Sequence, residues 1–154
     1  MSRPRVYIAS ALFSDAERST NEAMAFVLEK WCDVFLPQRH GRLITELIAR
    51  GMSAEQAYSF VFEKDIEAIS GCDALIINLD GRVIDEGAAV ELGYAFALSK
   101  LCVGYRTDVR VLLPWGLNPM VTVPLRQILT TPQELEEWTA SIGTHETPSA
   151  AKTV

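Results

Sequence analysis

Two acids in this chain stand in apolar helical surroundings, where only a function or a specific partner would keep them. From Ser53 to about Ser70, the residues Tyr58, Val61, Phe62, Asp65, Ile66 and Ile69 recur at the spacing of one helical stripe. Asp65 takes a place in that seam where a leucine is expected. An unpaired carboxylate there costs several kcal/mol, or its pKa rises until it is neutral. Glu91 is the sharper case, lying inside the segment DEGAAVELGYAFALSK, residues 85 to 100. Its neighbours one turn away are Gly87, Ala88, Tyr94 and Ala95, none of them a base. Gly87 and Ala88 leave room for something to approach the carboxylate. Asp85 and Glu86 precede it near the start of the helix, where the macrodipole favours negative charge and gives Glu86 an ordinary role. The ordinary alternatives are a local partner for Asp65, such as Lys64 or a loop amide, and a solvated stripe for Glu91.

These acids allow two chemistries. Asp80, Asp85 and Glu86 could hold Mg²⁺ through oxygen ligands. A carboxylate nucleophile with a second acid for proton transfer could instead act at a sugar carbon. No Walker loop and no GxGxxG follows the first strand, so a phosphate cradle is missing and the glycosyl reading leads.

The elements that must position these groups alternate. VYIAS (Val6 to Ser10), DVFL (Asp33 to Leu36), ALIINL (Ala74 to Leu79) and Leu101 to Tyr105 read as buried strands. Between them run helices: one opened by Ser14 and Glu17 as a capping box, one opened by Ser53 and Gln56, and one from about Glu86 to Lys100. Gly71 is expected to end the second of these in the left-handed conformation. Thr131, Pro132 and Glu134 form a third capping pattern, ahead of a helix through Leu135 and Trp138. Residues 38 to 52 read as a loop or short helix, and residues 106 to 120 as a loop. The expected fold is α/β: a single-domain Rossmann- or flavodoxin-like layered fold, with a mostly parallel sheet of about five strands and helices on both faces. The domain covers residues 1 to 143, and residues 144 to 154 form a polar, frayed tail. Ligands of such sheets bind beyond the carboxyl ends of the strands, which places Tyr7 to Ser10, Asp80 and the loop to Asp85 at the site.

Composition narrows the partners. With 154 residues, 49% hydrophobic and 22% charged, the chain is a soluble globular domain with a full core. A net charge of -6 argues against binding a nucleic acid polymer. No apolar run approaches the ~20 residues that cross a bilayer, and the N-terminus lacks a signal peptide's apolar core, so a cytoplasmic protein without membrane contact is expected. Cys32, Cys72 and Cys102 form no CxxC pair and read as core residues. His40 and His145 are too far apart in sequence to form a metal motif, and neither a metal nor another cofactor is expected.

Four segments, in order, resemble the nucleoside 2-deoxyribosyltransferases: VYIAS at the first strand, KDIEAISGCDALI, DEGAAVELGYAFAL and GLNPM at residues 116 to 120. The likeness spans residues 5 to about 121. It implies transfer of a 2'-deoxyribosyl group between nucleobases, with 2'-deoxynucleosides and free purine or pyrimidine bases as partners. By that resemblance Glu91 is the nucleophile and forms a covalent deoxyribosyl intermediate, giving retention through two displacements. Asp65 would protonate the departing base, Tyr7 would orient Glu91 through a hydrogen bond, and Asp85 would hold a sugar hydroxyl. Ala9 belongs to the matching Tyr-x-Ala and would border the substrate. Asn118 and Met120 would reach a neighbouring subunit's site, implying a homo-oligomer; by themselves they also read as an Asn-Pro turn. Pro119 between them departs from the pattern, as does the non-aromatic terminus Lys152-Thr153-Val154. The rivals are an N-glycosidase of nucleosides or nucleoside 5'-monophosphates, in which water replaces the acceptor base, and a non-catalytic nucleoside-binding module.

Overall fold

A computed structural model describes residues 2–108 and 117–144. The strands are β1 (Arg5–Ala9), β2 (Asp33–Phe35), β3 (Ala74–Asn78), β4 (Leu101–Tyr105) and β5 (Ile128–Leu129). The helices are α1 (Asp15–Leu28), α2 (Pro37–His40), α3 (Ile44–Ala49), α4 (Ala54–Gly71), α5 (Glu86–Ala97), α6 (Pro119–Thr122) and α7 (Pro132–Gly143). The sheet runs β2-β1-β3-β4-β5, and all four pairings are parallel. This is a flavodoxin-like order, whose switch point for ligand binding lies between β1 and β3.

Alternation along β1 sorts the core into two layers. Val6 and Ile8 pack with Met24 and Leu28 of α1 and with Leu135 and Trp138 of α7. Tyr7 and Ala9 point to the other face, among Ile69 of α4 and Leu92 and Ala95 of α5. The register Tyr7↔Leu75 and Ala9↔Ile77 keeps that face continuous across the switch point. Cys32, Cys72 and Cys102 are buried and unbridged, as their isolation in sequence suggests. No helix among the described residues is long and apolar enough to cross a membrane.

Local signals were obeyed unevenly. Ser14 with Glu17 and Ser53 with Gln56 form complete capping boxes. Thr131 accepts from Glu134 N, but the Glu134 carboxylate turns to Thr130, so the third box is half made. Gly71 corrects an expectation: it is the last residue of α4 and has no positive φ. The cap is Cys72, extended at φ -84 and ψ 158, because β3 starts at Ala74 and leaves no space for a left-handed turn. Residues 38–52 hold α2 and α3, and the expected loop after β4 includes the short α6. The 109–116 part of that loop, and residues 145–154 of the polar tail with His145, lie outside the described residues.

Candidate active site

The site begins with Tyr7. It is fully buried, yet its phenol spans from the middle of β1 to α5 and donates from Oη to Glu91 Oε1 at 2.8 Å. Its ring stacks on Phe35 of β2, with centroids 5.3 Å apart and planes at 11°. The hydroxyl therefore has little freedom to leave the carboxylate. Glu91 is only partly buried, and its remaining exposure opens into a cavity of about 450 Å³ at the carboxyl ends of the strands.

Four walls enclose that cavity. Ser10, Leu12 and Phe13 come from the segment after β1, joined by Arg18 of α1. Pro37 and Gln38 of α2 lead into Gly41 to Thr45. Helix α4 contributes Val61 and Asp65, one turn apart, and α5 contributes Gly87 and Glu91 with Asp85 at its cap. A more open hollow of about 520 Å³ lies against the edge strand β2, but in it Lys64 is paired with Glu67 and no acids converge. The acids singled out in the sequence, Asp65, Asp85 and Glu91, line the first cavity.

Electrostatics distinguish the two inner acids from the surface ones. Burial pushes the Glu91 carboxyl up to about 8; the Tyr7 hydrogen bond opposes this, and the charges of Asp65 and Asp85 add to it. Burial likewise pushes Asp65 up to about 6, opposed by the same Tyr7 hydroxyl. Tyr7 itself is driven well above the ordinary phenol range, first by burial and then by the two carboxylates, so it stays a donor. Lys64, the suggested local partner for Asp65, instead binds Glu67 at 2.8 Å. A pair of carboxylic groups with raised and separated pKa values in one cavity can hold one protonated and one ionised member at neutral pH.

Asp85 has a structural duty as well. Its Oδ2 accepts from Ala88 N at 2.9 Å and caps α5, while Oδ1 has no hydrogen-bond partner among the described residues. Gly87 fits beside it, since a Cβ there would stand 3.1 Å from Asp85 Oδ2. Ala9 lies wholly beneath the surface, and Ser10 takes the place at the cavity wall. Asn118 and Met120 do not join this cavity. Asn118 caps the four-residue α6 by accepting from Met120 N at 2.9 Å, and Met120 is 81% exposed. Asp80 is likewise elsewhere: Oδ1 accepts from Thr107 N and Asp108 N, and Oδ2 from Thr107 Oγ1, tying the β3 and β4 loops together. The set Asp80, Asp85 and Glu86 is therefore not assembled, and among the described residues no three His, Cys, Asp or Glu are placed to hold a metal ion.

The α1–α2 wall was not foreseen residue by residue. Asn21 Nδ2 donates to Ala11 O and to Gln38 Oε1, while Gln38 Nε2 donates to Arg18 O and Glu22 Oε1. This network holds α2 against α1. The signal available was the polar run PQRHG just after a strand, at the edge where ligands bind.

Three solved structures share the architecture. A conserved protein from Enterococcus faecalis V583 aligns with a TM-score of 0.74 at 21% identity, over 93% of this chain and 99% of that one. A 2-deoxyribosyltransferase from Bacillus psychrosaccharolyticus aligns at 0.72 and 23%, over 90% and 95%. The CMP N-glycosidase BcmB of Clostridium botulinum aligns at 0.54 and 21%, over 88% and 98%. An uncharacterised protein of Ureaplasma parvum serovar 3 is 30% identical over 99 residues, and the match spans 62% of this chain and 61% of that protein. The model of the nucleoside 2-deoxyribosyltransferase family matches residues 6–146. On that match, covering nearly the whole chain, this protein belongs to the nucleoside 2-deoxyribosyltransferase family.

Proposed function

We propose that this protein transfers a 2'-deoxyribosyl group between nucleobases through a covalent intermediate on Glu91. The observation that carries the reading is the Tyr7–Glu91 hydrogen bond, which holds an acid without a cationic partner among the described residues in a cavity shared with Asp65. Glu91 attacks C1' of a 2'-deoxynucleoside as the bond to the base nitrogen breaks; its electron pair stays on the base, and Asp65 supplies the proton. A second base then attacks C1', displaces the Glu91 carboxylate and returns its proton to Asp65. Two inversions give retention. The transition state is oxocarbenium-like, and an anionic carboxylate beside it supplies electrostatic stabilisation. Absence of a 2'-hydroxyl makes that cation easier to form.

The proton count suits this scheme. With Glu91 near 8 and Asp65 near 6, the empty site at neutral pH holds about one proton on the pair, favouring Glu91. Catalysis needs the same one proton on Asp65. Positive charge developing on the sugar favours ionised Glu91, and a base packed over Asp65 desolvates it and favours its acid form. The rate should follow a bell whose limbs, at about 6 and about 8, belong to the pair rather than to either acid. Tyr7→Phe removes the one contact that lowers Glu91. That variant is expected to lose roughly ten- to hundredfold in kcat. The alkaline limb should move to higher pH, as a pH–rate series would reveal.

Asp85 Oδ1 is the group offered to a sugar hydroxyl. Asp85, the acid offered to the sugar, would repel a phosphate carried there, which supports a neutral nucleoside substrate. Asn118 and Met120 are assigned to a partner subunit's cavity in a homo-oligomer; the exposure of Met120, Val123, Val90 and Phe96 supports that assignment. Incubating thymidine with and without adenine tests the function. Deoxyadenosine formed only with adenine is the expected result, whereas thymine released equally without an acceptor would make the protein a hydrolase.

A further inference from the structure

An inventory of the cavity's polar side chains leaves two without a partner among the described residues, the Thr45 hydroxyl and the Arg42 guanidinium, and only the second is a fork of donors. Gln38 is saturated, donating to Arg18 O at 3.0 Å and Glu22 Oε1 at 2.7 Å and accepting from Asn21 Nδ2 at 3.0 Å. Arg18 donates to Leu12 O at 2.9 Å and pairs with Asp15. Ser10 Oγ lies between Ala11 O and Asn78 Nδ2. Arg42 also lines the cavity, and it makes no hydrogen bond or ion pair among the described residues.

Its position is informative. Arg42 and Leu43 lead into α3, and α3 packs on α4, the helix that carries Val61 and Asp65. Residues 42–45 thus share one cavity with Val61 and Asp65 of α4, on which α3 packs, and with Asp85 and Glu91 at α5. A flat base leaving toward Asp65 would lie between Val61 and the apolar Leu43 and Ile44, with its outer edge toward Arg42. A guanidinium has five N–H donors and no acceptor, held in a planar fork. It matches the carbonyl oxygen and adjacent ring nitrogen of an oxopurine, whereas an exocyclic amine at the same place presents a second donor to it.

We infer that Arg42 determines base specificity and selects 6-oxopurines over 6-aminopurines. The inference rests on the deoxyribosyl-transfer reading for the placement of the base, and it adds the base class. Isothermal titration of the full-length protein with free hypoxanthine and with adenine tests it, since these bases differ in the group facing Arg42. The wild type should bind hypoxanthine about tenfold more tightly than adenine. Arg42→Ala should lose that preference by weakening hypoxanthine alone. Arg42→Lys, which keeps the charge without the fork, should lose most of it too. Equal binding of both bases by the wild type, equal weakening of both in Arg42→Ala, or full preference retained in Arg42→Lys would each overturn the inference. Because bases are titrated and not turned over, Arg42-dependent preference in a protein that exchanges no bases would sink the transfer reading alone. Exchange without that preference would sink this one alone.

Discussion

Glu91→Gln is expected to abolish base exchange, lowering kcat by on the order of 10⁴-fold or more. The amide keeps the shape and can still accept from Tyr7, so the loss would belong to the nucleophile and not to a collapsed cavity. The same variant should be more stable than the wild type at alkaline pH. Burial raises the folded pKa of Glu91 from 4.5 to about 8, so the folded state holds its proton more tightly than the unfolded one. The contribution of Glu91 is thus fully favourable below pH 4.5 and is lost as pH rises through about 8. Melting temperatures across that window should fall for the wild type relative to the variant. A gain in stability paired with a loss of turnover is the signature of a site that stores unfavourable burial for function.

Asp65→Asn should reduce kcat/KM by roughly 10²- to 10⁴-fold with natural deoxynucleosides, the range for a lost general acid. The defect should shrink for substrates whose base leaves without protonation, because the asparagine fails only in supplying a proton. Glu91 responds as well. The negative charge of Asp65 is one of the causes that raise it, so in Asp65→Asn the bell should give way to a single rise with pH, centred below about 8, as Glu91 ionises. Steady-state rates on good and poor leaving groups, measured between pH 5 and 9, separate this from a general loss of binding. An equal defect on both leaving groups would contradict the acid role.

Much of this arrangement was legible before any coordinates, and for identifiable reasons. Clean apolar runs marked β1, β3 and β4, because their residues are buried on both faces and carry almost no polar signal, while the short DVFL run marked the less buried β2. Asp65 and Glu91 stood out because a carboxylate in an apolar helix face violates local consistency, which is where functional residues are expected to do so. The parallel pairing of the sheet followed from alternating strands and helices. Strand β5, by contrast, is only Ile128–Leu129, too short to show any period. Gly71 misled because a glycine near a helix end usually marks a left-handed cap, whereas here the proximity of β3 demanded an extended one. Residues 38–52 folded into α2 and α3 through the Asn21–Gln38–Glu22 contacts with α1, which depend on residues distant in sequence. Asp80 read as a ligand of the site and became a loop tie, because its partners at Thr107 and Asp108 are set by the pairing of β3 with β4. Asp85, singled out with Glu91, caps α5 through Oδ2 and also lines the cavity.

The central claim is the identity of the nucleophile. Incubating the protein with a 2'-deoxynucleoside bearing a good leaving group and a 2'-fluoro substituent, which slows breakdown of the intermediate, should trap the sugar on the enzyme. Peptide mapping by mass spectrometry should then place the adduct on the α5 peptide at Glu91, with none formed in Glu91→Gln. An adduct on Asp65, Asp85 or any other residue would contradict the account.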